Sequence, residues 1–169
     1  MIGSDTYATR RHLPHLEKPD RTYFVTFATR RRFILPEAAR DVVLECCVHD
    51  HEKTCFLHVA MVMPDHVHMI LTPLERWRLP QILRRLKGIS ARYANLVMER
   101  RGPLWQDESF DRMLRSDEDL REKAEYICAN PVRAGLVSCV DEYKWIWREW
   151  IEGREQAQRT GKIACPPLD

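Results

Sequence analysis

The stretch TCFLHVAMVMPDHVHMILT, residues Thr54–Thr72, reads as two β-strands, Thr54–Met63 and His66–Thr72, joined through Pro64-Asp65. Strands with so short a connection pair antiparallel. Side chains alternate between the faces of a strand, so His66 and His68 leave one face while Val67 and Met69 go to the other. Two neutral imidazoles side by side on a rigid strand can form half of a metal site. Polar rings among residues suited to burial also require partners.

Working outward, Thr22–Thr29, TYFVTFAT, alternates β-branched and aromatic residues and predicts a strand. Pro36 opens a helix to about His51, with Ala39, Val42, Val43, Cys46 and Cys47 at helical spacing. Pro80 begins the longest helix, which Gly102-Pro103 ends. Its expected apolar stripe is Leu79, Ile82, Leu83, Leu86, Ile89, Tyr93 and Leu96. Ser109–Arg115 suggests a short strand. Ser116 reads as the N-cap of a last helix, with Asp117, Glu118 and Asp119 at its positive end and Pro131 blocking continuation beyond Asn130. The order β-α-β-β-α-β-α predicts an α+β fold of split βαβ type, ferredoxin-like, an antiparallel sheet with helices packed on one face.

The 169 residues fit one domain over 21–150, with an irregular N-terminal arm at 1–20 and a loosely held, polar C-terminal tail at 151–169. A composition 44% hydrophobic and 31% charged argues against disorder over most of the length. Net charge is +2, too small to indicate a nucleic-acid partner, so its distribution matters more. Arg30-Arg31-Arg32, Arg84-Arg85 with Lys87, and Arg100-Arg101 are local basic clusters, whose plain reading is solvated surface. No apolar stretch reaches the roughly 18 residues of a membrane span, and the N-terminus lacks the apolar core of a signal peptide. The six cysteines show no framework spacing and are read as reduced thiols of a cytoplasmic protein.

A two-histidine site needs a further ligand and an open position to catalyse. The helix from 117 carries Tyr126 and Asn130 four residues apart, hence on one face. Asn130 offers a carbonyl oxygen and Tyr126 a hydroxyl that can act as nucleophile. Mixed imidazole and oxygen ligation suits Mg²⁺ or Mn²⁺ better than a closed zinc site.

At these residues the chain resembles the single-tyrosine HUH transposases of the IS200-like superfamily, and within it the REP-associated tyrosine transposases. The matching segments are TYFVTFATRRRF (22–33), MPDHVHMIL (63–71), LKGISARY (86–93), LWQ (104–106) and YICANPVRAGLV (126–137), in the family's order. The resemblance implies that His66 and His68 are the metal-binding pair, Tyr126 the nucleophile and Asn130 the third ligand. Insertion-sequence relatives usually carry glutamine at that last position, so asparagine favours the REP-associated branch and asks the helix to sit closer. The implied activity is metal-dependent cleavage and strand transfer of single-stranded DNA at repetitive extragenic palindromic hairpins, through a 5′-phosphotyrosine. A free tyrosine, with a pKa near ~10, needs nearby positive charge to serve. Arg30, Arg31 and Arg32, with Arg84, Lys87 and Arg92, would follow phosphates while aromatic residues stack on unpaired bases. Arg133 can reach DNA or cap its own helix. The branch acts as monomers, in the cytoplasm and on the nucleoid when DNA-bound.

Other readings remain open at this point. His66 and His68 also suit hydrogen-bonded structural roles, and Tyr126 suits half-buried packing. Tyr93, a competing nucleophile, is expected in the core, and Trp145, Trp147 and Trp150 in aromatic packing. Cys46, Cys47, His49, His51, Cys55 and His58 fit no common zinc spacing. Asp65 either orients an imidazole or simply makes the turn. A hairpin-binding protein without turnover and a phosphohydrolase using water are the alternative functions.

Overall fold

The computed structural model describes residues 21–149 together with two short strands, β1 (Tyr7–Ala8) and β2 (Leu16–Glu17), which pair antiparallel. The rest of the expected N-terminal arm, the C-terminal tail and Trp150 lie outside the described residues. The main elements are β3 (Tyr23–Ala28), α1 (Glu37–His49), β4 (Cys55–Val62), β5 (His66–Pro73), α2 (Leu79–Val97), β6 (Phe110–Met113), α3 (Asp117–Arg133) and β7 (Ile146–Arg148). The strands form one antiparallel sheet in the order β6-β3-β5-β4-β7. The α+β class and the β-α-β-β-α-β core are as the sequence predicts.

The expectation of helices on one face needs correction. Phe27 meets Trp105 at 4.8 Å between ring centroids, and the Trp105 indole donates to Ser90 of α2, so α2 covers the Tyr23, Val25 and Phe27 face. The other face carries Phe24 and His68, and their rings meet Tyr126 of α3. The cause lies in β4 and β5. Val59 through Met63 and Val67 through Leu71 are buried on both faces, and such strands must be covered on both sides.

Three further details depart from expectation. The buried stripe of α2 is Leu79, Ile82, Leu83, Leu86, Ser90 and Ala94, whereas Tyr93 is 49% exposed and Leu96 72%. Ser90 turns inward because its hydroxyl donates to the Leu86 carbonyl at 2.7 Å while accepting the Trp105 indole N–H at 3.0 Å. Small Ser90 and Ala94 thus let the helix approach, and the larger Tyr93 is left outside. The last helix passes Pro131 and runs to Arg133. A proline there removes a single intrahelical donor, which the final turn tolerates. The stop is Gly135 (φ +68°), with the Gly135 N–H on Val132 C=O and the Leu136 N–H on Pro131 C=O. Finally, β7 adds a fifth strand, Ala60 opposite Trp147, where the sequence suggested only aromatic packing. Trp145 is buried, its indole donating to Asp41 at 2.9 Å under the Arg40 guanidinium.

Cys46, Cys47, Cys55 and Cys128 are free thiols, and burial pushes Cys46 and Cys55 up to about 11. Cys139 is disulfide-bonded, contrary to the expectation of a free thiol. Among the described residues no helix is long and apolar enough to cross a membrane.

Candidate active site

Register and alternation place the site. Ala28 lies opposite His66, Thr26 opposite His68 and Phe24 opposite Ile70, so one face of two central strands presents both imidazoles with Thr26 and Phe24. The ring nitrogens divide into two sets. His66 Nδ1 donates to Asp65 Oδ1 at 2.6 Å, and His68 Nδ1 bonds the Thr26 hydroxyl at 2.7 Å. The two Nε2 atoms face each other at 3.1 Å. Carboxylate or hydroxyl on Nδ1, with the Nε2 atoms bonded only to each other among the described residues, is the arrangement that orients imidazole ligands. Two nitrogens held about 2.1 Å from one ion at adjacent positions would stand about 3 Å apart, so the pair fits a shared divalent cation.

Asp65 is more than a turn residue. Its backbone carbonyl accepts from the Thr29 N–H and hydroxyl at 2.9 and 3.1 Å, which ties the β4–β5 turn to the end of β3. Its second carboxylate oxygen accepts from Arg32 at 3.3 Å. His68 is 6% exposed. Burial, then the charge of His66 and of Arg133, holds it down to about 3, so it stays a neutral ligand-competent imidazole at physiological pH.

Helix α3 brings Tyr126 over this face. The Ser116 hydroxyl accepts from the Asp119 N–H and Asp119 from the Arg115 N–H, fixing where the helix starts. Ala124 and Ile127 then bury against the sheet, leaving Tyr126 41% exposed. Its ring lies 6.1 Å from the His68 ring and 6.2 Å from Phe24. Two cations flank it, the Arg133 guanidinium 4.4 Å and the Lys123 ammonium 5.5 Å from the ring centre.

The remaining expected residues divide. Asn130 is close in sequence but turned along its own helix, its amide donating to the Tyr126 carbonyl at 3.4 Å, and no hydrogen bond joins it to either histidine. Arg133 donates to the same carbonyl, in the body of the helix, at 3.3 Å, and its guanidinium lies over the Tyr126 ring, so it braces Tyr126 rather than capping the helix end. Arg30 is committed to Asp107 and the Trp105 carbonyl, and Lys87 to the carbonyls of Gln106 and Asp107. Both act as anchors for the 105–109 segment. Arg31, at φ 54°, is exposed beside Arg32. Arg84 and Arg92 are exposed on α2, across the sheet from the histidines, as is Tyr93, which therefore does not compete with Tyr126. Sequence reasoning missed Thr26, Phe24 and Lys123. Alternation marks Thr26 and Phe24 as sharing a face, but only the β3–β5 register sets Thr26 against His68.

The family description "Transposase IS200 like" matches residues 21–130, a span holding β3 through most of α3 with His66, His68 and Tyr126. The chain belongs to the IS200-like transposase family. A Haemophilus influenzae protein described as a REP-associated tyrosine transposase is 26% identical over 110 residues, 56% of this chain. That match spans 62% of the relative's length. The fold of this family member is similar to a solved REP-associated tyrosine transposase bound to a REP hairpin, with a TM-score of 0.71 at 18% identity, covering 94% of this chain and 99% of that one. A chain described as a transposase from Deinococcus radiodurans aligns at a TM-score of 0.45 and 22% identity over 70% of this chain and 95% of that one.

Proposed function

We propose that this IS200-like transposase cleaves and rejoins single-stranded DNA beside hairpins of the repetitive extragenic palindromic type, with Tyr126 as nucleophile. The observation that carries the reading is the juxtaposition of two outward Nε2 atoms 3.1 Å apart with a tyrosine ring 6.1 Å from His68. His66 and His68 would hold Mg²⁺ or Mn²⁺, with Asn130 as a third ligand after its amide leaves the Tyr126 carbonyl. A divalent ion so placed supplies Lewis-acid polarisation of a phosphate.

The chain's own residues do the rest. Asp65 fixes the His66 tautomer and Thr26 orients the His68 ring. Arg133 and Lys123 meet the charge of a phosphate brought against the tyrosine. The Tyr126 oxygen forms a bond to phosphorus as the bond to the 3′-oxygen breaks. The phenolic proton passes to solvent or to the departing oxygen, which leaves a 3′-hydroxyl and a 5′-phosphotyrosine. A second 3′-hydroxyl reverses the exchange without ATP, because the linkage count is conserved. Arg32, bonded to the Asp65 that holds His66, and the exposed Arg31 next to it in the chain would contact the phosphate chain there, while Arg84 and Arg92 would contact DNA that passes to the α2 side. The protein acts as a monomer in the cytoplasm and on the nucleoid.

The test is covalent capture. Wild-type protein with Mn²⁺ and a labelled hairpin oligonucleotide carrying a single-stranded flank should give a protein–DNA adduct. Tyr126→Phe should give none while still binding the hairpin, and His66→Ala should abolish cleavage. An adduct in Tyr126→Phe removes the assignment, and cleavage without an adduct in the wild type selects the water-using phosphohydrolase instead.

A further inference from the structure

One exposed ring shares the active face and has no task in the scheme above. Phe110 of β6 is 55% exposed. It stands opposite Thr26, which stands opposite His68, so Phe110, Thr26 and His68 form one row across three strands on one face. Two inter-strand spacings put the Phe110 backbone about 9.5 Å from that of His68. The ring touches Phe24 edge-on at 6.2 Å, and Phe24 in turn meets Tyr126 at 6.2 Å and His68 at 5.7 Å. Phe24 is buried, with the Lys123 ammonium 5.8 Å from its ring. β6 is the edge strand, so among the described residues no strand continues the sheet past Phe110.

We infer that Phe110 is a stacking platform for the unpaired base of the nucleotide that flanks the scissile phosphate. The inference rests on the proposed DNA-cleaving role of Tyr126 and adds a substrate requirement to it. A phosphate against Tyr126 and His68 leaves the adjoining base within reach of a ring anchored one row-length away. An exposed phenyl face offers that base a sequence-tolerant surface, as stacking platforms for single strands do. A paired base has both faces occupied by its helix and cannot use the platform, so the flanking nucleotide must be unstacked for cleavage.

The experiment measures adduct formation and binding with the Mn²⁺ and hairpin oligonucleotide assay above, after the wild type has mapped the cleavage position. Phe110→Ala should weaken productive binding by about 5- to 150-fold, the range of one base–aromatic stack. Phe110→Trp should retain it. Phe110→Leu, which keeps the apolar cover over Phe24 but has no aromatic face, should lose as much as alanine. An abasic nucleotide beside the scissile phosphate should cost the wild type the same factor and cost Phe110→Ala nothing further. Equal activity of Phe110→Ala and wild type, full rescue by leucine, or fully additive losses with the abasic probe would each overturn the platform while leaving Tyr126 catalysis intact. Absence of any wild-type adduct would instead overturn the catalytic reading and this inference with it.

Discussion

Thr26 and His68 stand 42 residues apart in the chain, yet their Oγ1 and Nδ1 atoms meet at 2.7 Å across β3 and β5. A buried imidazole with its Nδ1 so engaged presents Nε2 outward. Thr26→Val keeps the shape and removes the oxygen. We expect the affinity for Mn²⁺, measured by titration calorimetry, to fall about 10- to 100-fold while circular dichroism stays native. Undiminished affinity would mean that packing against Phe24 alone sets the ring.

Asp65 couples the other imidazole to Arg32. In Asp65→Asn the amide can still accept the His66 Nδ1–H, but the charge that holds this tautomer is gone. Adduct formation should drop about 10- to 100-fold, with partial recovery as Mn²⁺ is raised. Loss that no Mn²⁺ concentration relieves would point to a collapsed turn rather than a weakened ligand.

Ser90 tests the packing of α2. It is fully buried and accepts the Trp105 indole N–H at 3.0 Å. Ser90→Ala leaves that donor buried without a partner and should cost about 1–3 kcal/mol in urea denaturation. Ser90→Thr, which keeps a hydroxyl, should cost less unless its extra methyl cannot be accommodated against Leu86.

His58 supplies a pH prediction. Its Nε2 bonds the Thr72 hydroxyl at 2.9 Å, and burial, then the charge of His51, holds it below the ordinary histidine range. The unfolded chain takes up this proton near pH 6.5, while the folded chain takes it up only at lower pH. Stability is therefore complete above that pH and declines as pH falls through it, because the unfolded state binds more protons. His68 contributes in the same direction. Urea midpoints should fall from pH 7.5 to pH 5, and His58→Gln should show a shallower decline. An unchanged slope would assign the whole effect to other groups.

Much of this fold is legible in the sequence because its signals are local. Pro64-Asp65 marks the turn, alternation marks β3 and puts His66 with His68, and Ser116 marks the start of α3. Pro131 misleads because a proline excludes one donor but does not terminate a helix whose last turn has other partners. Tyr93 misleads because a helical stripe defines a face only to within a residue's rotation, and the fit of Ser90 against Trp105 sets that rotation. β7 is only three residues long, too short for alternation to show, so its pairing with β4 outweighs its weak local signal.

Residue identity and local periodicity alone determined the strand–helix order, the pairing of two imidazoles on one face and the tyrosine on a capped helix. The tertiary structure decided that α3 lies on the histidine face, that Thr26 and Asp65 hold the two rings, and that Arg30 and Lys87 brace a loop. The division is physical. Alternation and capping act over a few residues, whereas register and helix placement depend on which buried surfaces fit together across the whole sheet.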